Sequence, residues 1–116
     1  MDNTRIAVSY DWCRMDFAYR ALRFARNDKT PLAGWDEKDY APHVNSTSRS
    51  LKKLADEMGH LRASTIDLFE SFSPEMLTRK GIANNNEMTV AVLGFVIAGH
   101  ETHHRKILTE RYLTPN

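Results

Sequence analysis

The chain alternates between stretches with apolar residues at three- and four-residue steps and stretches punctuated by Pro, Gly and Asn. Over 8–27, Phe17, Ala18, Ala21, Leu22, Phe24 and Ala25 recur at helical spacing, and Asp16 and Arg20 form an acid-first i,i+4 pair. Arg20, Arg23 and Arg26 lie three apart and read as a drifting polar edge, a solvated face, with anion binding as the alternative. Residues 27–45 carry Pro31, Gly34 and Pro42, which break regular structure. They also carry Leu32, Trp35 and Tyr40, so the pattern predicts an ordered loop packed on the body, with one helical turn over 36–40. Ser46, Thr47 and Ser48 offer N-caps for a helix running to about Phe72. Its stripe is Leu51, Leu54, Ala55, Met58, Leu61, Leu68, Phe69 and Phe72, weakened locally by Gly59. Ser73-Pro74-Glu75 starts a short helix over 74–78, because Pro fits the first helical position.

Gly81 and Asn84-Asn85-Asn86 read as a turn-rich loop. Thr89 then caps a last helix over 90–113, with Pro115 barring any continuation. The first half of that helix is apolar nearly all round, from Val90 to Ala98, which predicts a position at the centre of a bundle. Its second half carries Glu101 and Arg105 as a further i,i+4 pair. The expected fold is all-α, with three main helices, one short one and no strand.

Composition narrows the class. A chain of 116 residues is one domain's worth, and 41% apolar with 27% charged residues is globular. Sixteen Lys and Arg balance fifteen Asp and Glu, and neither half carries a basic excess, so no nucleic-acid partner is expected. Cys13 is the single cysteine and cannot close an intramolecular disulfide, which fits a reducing compartment. No apolar run reaches the ~20 residues of a membrane span. The expectation is a cytoplasmic protein without a membrane partner.

Candidate chemistry lies on the last helix. His100 and His104 are four residues apart, about 40° around a helix of 3.6 residues per turn. They share a sector with Leu93, Ile97, Ile107 and Arg111, so two imidazoles are expected to project one above the other from the buried stripe of the most apolar helix. Such a pair is a two-point clamp for a divalent metal; two separately hydrogen-bonded core histidines are the alternative. His103 points about 60° away and reads as a rim residue. The string from His100 to His104 matches His-Glu-x-x-His literally, yet no His or Cys follows to complete a metalloprotease site.

The segment Ala98-Gly99-His100-Glu101-Thr102-His103-His104, continued by Ile107 to Leu113, resembles the closing helix of the DinB/YfiT-like superfamily. The segment from Ala18 to Asp28, with Thr30 to Asp36, resembles that family's second helix and the loop after it. The resemblance covers roughly 17–113. It implies an up-down-down-up four-helix bundle, here a single domain over 1–116 that is shortened at its N-terminus by the first helix. It further implies a homodimer and a divalent metal, Zn or Ni, on His100 and His104. A third ligand belongs at the position of Ser9, and the family's acidic positions there fall on Trp12 and Arg14. Asp11, Cys13 and Asp16 are stand-ins, with His43 and His60 as looser candidates. Two functions follow as expectations. One is a metal-dependent enzyme of thiol S-transferase or hydrolase type, acting on a small molecule or low-molecular-weight thiol, with His103 or Glu101 to orient a ligand or relay a proton and with Arg20 and the Trp35 loop lining the mouth. The other is a non-catalytic, truncated homo-oligomeric module with an incomplete metal site.

Overall fold

The computed structural model describes residues 3–44 and 50–108. Their element order is α1 (Asn3–Ala25), α2 (Glu37–Tyr40), a 3-10 turn (Ala41–His43), α3 (Leu51–Glu70), α4 (Pro74–Thr78), β1 (Lys80–Ala83), β2 (Asn86–Thr89) and α5 (Val90–Leu108). The described chain is mostly helical, but it is not all-α. The turn-rich loop is a hairpin in which Lys80 pairs with Thr89, Gly81 with Met88, Ile82 with Glu87 and Ala83 with Asn86. Asn84 and Asn85 both take positive φ, 51° and 62°. That is the two-residue turn whose twist matches antiparallel strands, and Asn is one of the few side chains that accept it. The loop over 27–45 adds a rung to the hairpin. Leu32 N–H donates to the Ile82 carbonyl at 2.8 Å, and Asn84 N–H donates to the Leu32 carbonyl at 3.0 Å.

The helix ends follow local chemistry. α1 starts before the expected 8–27 span, and it stops because Asn27 turns left-handed (φ 62°). Asp28 N–H then donates to the Arg23 carbonyl, and Asn27 N–H to that of Phe24, each at 3.0 Å. Together they satisfy two terminal carbonyls of the helix. Arg79 Nη1 donates to a third, that of Ala25. The cap of α3 is Ser50, whose hydroxyl accepts from Lys53 N–H; the expected caps at 46–48 lie outside the described residues. Ser73 and Thr89 cap α4 and α5 as their sequence positions predict. The expected end of the last helix, over 109–113, also lies outside the described residues.

The core gathers Ala21, Phe24 and Ala25 of α1, Phe72, Ala83 of β1, and Val90 and Leu93 of α5. Gly81 is required by close approach: a Cβ there would lie 2.1 Å from Phe24 Cδ1. α5 packs along α1, with Val90, Leu93 and Ile97 buried. It is not enclosed as the continuous apolar run predicts. Val92 and Val96 are exposed, and Phe95 is 78% exposed. A helix apolar all round needs partners all round, and the described elements cover one side. None of the described helices is long and apolar enough to cross a membrane.

Candidate functional site

α1 and α5 present their sites where they run side by side. His100, half-buried, sits three residues beyond the buried Ile97, and its ring meets Phe17 of α1 edge to face at 5.8 Å. Burial, with the nearby charges of His103 and Arg14, holds the His100 imidazole below its ordinary pKa near 6.5. It is therefore neutral at pH 7, the form that ligates metal. His104 follows one turn later on the helical backbone of α5; its side chain lies outside the described residues, as does that of Ser9. His103 is exposed, in keeping with a rim position.

The candidate third ligands differ in burial. Cys13 is buried, Asp16 is half-buried, and His43 and His60 are exposed. The side chain of Asp11 lies outside the described residues. Among the described residues no three of His, Cys, Asp and Glu converge as a metal would require.

Glu101 does not serve α5 alone. Its carboxylate lies 3.3 Å from Arg14 Nη1 and 3.7 Å from Arg62 Nε, while Arg14 Nε donates to Thr65 Oγ1 at 3.2 Å. One carboxylate thus joins α1, α3 and α5. These groups rim a cleft of about 350 Å³ whose remaining walls include Ile66, Phe69 and Ile97.

Toward the other end of α1, the arginine edge divides. Arg23 pairs with Asp28 at 2.6 Å, and Asp28 also accepts from Thr30 N–H, so its carboxyl is held well below the usual range. Arg26 is exposed, but Arg20 is only 7% exposed, contrary to the solvated-face reading. Arg20 Nη2 donates to the Ala33 carbonyl at 2.8 Å, and its guanidinium lies 4.2 Å from the centre of the Trp35 ring. Trp35 stacks in turn on Tyr40 at 6.4 Å and touches Phe17 at 5.4 Å. Arg20 and the Trp35 loop do lie together, as expected of a site mouth, but spacing gave no sign that Arg20 is buried, because its cover comes from the loop. The signal was present as Trp35, an aromatic in a Pro- and Gly-rich segment.

A match to a family model over most of the chain decides the kinship. The chain belongs to the DinB superfamily. That family's model matches residues 10–108, which span α1 through α5. Comparison with curated proteins and with solved structures gave no match. Within this DinB-superfamily chain, the matched span holds His100, His104, Arg20 and Trp35 alike.

Proposed function

We propose that this DinB-superfamily protein binds a divalent metal, Zn or Ni, through His100 and His104, and acts on a small molecule beside it. The observation that carries the reading is His100: a half-buried imidazole, kept neutral and braced by Phe17, with a second histidine one helical turn further along α5. Imidazole donors suit Zn and Ni. A bound ion of this kind polarises oxygen or sulfur ligands and lowers their pKa. The chain's own contribution is to hold one imidazole in a fixed orientation between α1 and α5. The expected architecture is the DinB-like up-down-down-up bundle in a single domain, completed in a homodimer across the exposed Val92, Phe95 and Val96 face.

A second reading has its own support. With no converging group of three His, Cys, Asp or Glu side chains among the described residues, and with an exposed apolar face on α5, a non-catalytic homo-oligomeric module fits the same features. One experiment separates the two. Isothermal titration of the full chain with ZnCl₂ and NiCl₂ is compared with the His100→Ala and His104→Ala variants. The metal reading expects saturable binding that weakens at least ~10-fold in each variant, with His103→Ala close to wild type. Equal affinity in wild type and both variants overturns it and leaves the module reading.

A further inference from the structure

We propose that the pocket beside Arg20 is a binding subsite for the carboxylate of a small monoanionic molecule. Arg20 is 93% buried, from its 7% exposure. A guanidinium carries five N–H donors in a planar fork. Among the described residues one hydrogen bond is made, from Nη2 to the Ala33 carbonyl. Trp35 covers one face of the group and takes none of the in-plane donors. Asp16, one turn earlier, interacts with Arg20 through space but forms no ion pair with it among the described residues. A buried cation so poorly supplied with acceptors is costly to maintain. Arg20 lines a pocket of about 200 Å³ together with Phe17, Gly34, Trp35 and Asn84.

The chemistry of the lining selects the ligand. Arg20 is the one cation in that lining, and Asp16 behind it subtracts from the local potential, which favours a monoanion over a dianion. A planar fork fits a planar carboxylate with two parallel bonds. Phe17 and Trp35 add apolar wall beside the guanidinium, which lowers the local dielectric and strengthens those bonds. The volume falls below the ~300–1,000 Å³ of pockets that enclose a whole drug-sized ligand, so it takes the acidic end of one. The walls are built in advance. Leu32 is hydrogen-bonded to the hairpin on both sides, and the Asn84 side chain sits where a Cβ on Gly34 would be, 2.1 Å from Oδ1. This subsite stands whether or not the imidazoles take a metal; Phe17 touches both Trp35 and His100 and separates the two.

The test uses the full chain carrying Trp12→Phe, which leaves Trp35 as the one indole of the two. Sodium propionate, sodium phosphate and sodium chloride are titrated at matched ionic strength, read by Trp35 emission and by the Arg20 Nε–H NMR signal. The expected result is a saturable response to propionate at least ~10-fold tighter than to phosphate or chloride. Arg20→Gln abolishes it. Should that variant not fold, Asn84→Asp decides: Asp tolerates the left-handed backbone, and its charge on the pocket wall weakens propionate binding at least ~10-fold while the melting temperature stays near wild type. A propionate response no tighter than that to chloride or phosphate overturns the proposal. So does an Asn84→Asp chain that binds propionate like wild type.

Discussion

Replacing Gly81 by alanine tests the contact on which the hairpin rests. The added Cβ would lie 2.1, 2.2 and 2.6 Å from three ring atoms of Phe24, where ordinary contact begins at 3.4 Å. Phe24 is fully buried, packed among Ala21, Ala25, Phe72, Ala83, Val90 and Leu93, and has no free space into which to turn. Overpacking of this kind costs about 1–3 kcal/mol, and a methyl group placed well inside contact distance belongs near the top of that range. Loss of glycine's freedom in the unfolded chain offsets ~0.4–1 kcal/mol, leaving a net cost of about 2–3 kcal/mol. Unfolding entropy near 2.1 cal/mol/K per residue gives about 0.24 kcal/mol/K for the chain, so the melting temperature falls by roughly 8–12 °C. Gly59→Ala is the matched control. Nothing lies within 4 Å of a Cβ there, the position is exposed in the middle of α3, and alanine is the better helix former by ~1 kcal/mol. It should melt about 2–4 °C higher than wild type. Circular dichroism melts of both variants check the opposed signs. Adding Phe24→Leu to Gly81→Ala should recover part of the loss, since the smaller side chain vacates the clash. If Gly81→Ala melts at or above wild type, the hairpin does not pack on Phe24.

Two further predictions come from burial. Burial raises the Asp16 pKa above its ordinary value, opposed by Arg20, so ionised Asp16 destabilises the fold at neutral pH. The native state then holds the proton longer than the unfolded chain does, and wild type gains stability as pH falls through the native pKa. Asp16→Asn should therefore melt higher than wild type at pH 7, with the gap closing in acid; a gap that is constant with pH refutes the assignment. Phe95→Glu places a charge on the exposed apolar face of α5, and sedimentation should show self-association weakened at least ~10-fold with the monomer's helical signal unchanged. Wild-type-like association in that variant removes the dimer surface from α5.

The helices were legible because their signals are local. The apolar steps of α1, the Ser73-Pro74 start of α4 and the Thr89 cap of α5 need no tertiary partner to be read. The hairpin was not legible. Each strand has four residues, too few for alternation to emerge, and Asn84-Asn85 reads equally as loop until its left-handed angles are seen. Phe95 failed in the opposite way: hydropathy reports what a helix can bury, and exposure depends on which neighbours arrive. At the candidate site, spacing singled out His100, which lies half-buried against Phe17. The burial of Arg20 was not legible, because a period of three arginines looks like a surface whichever of them a distant loop covers.

The separate features meet on α1, where successive turns carry different partners. Phe24 receives the hairpin through Gly81. Arg20, four residues and about 6 Å earlier, receives the loop through Ala33 and Trp35. Phe17, three residues earlier again, touches Trp35 on one side and His100 of α5 on the other. The order has a physical logic. A glycine in β1 lets the hairpin approach α1 closely, and the hairpin's free edge then takes Leu32 as its extra rung. That rung fixes the start of the segment that carries Trp35 across Arg20. Trp35 in turn braces Phe17, and Phe17 limits the space open to the His100 ring. The hairpin that the helical pattern concealed is therefore what turns a polar edge of α1 into a buried cation, and it places that cation one aromatic ring away from the candidate metal seat.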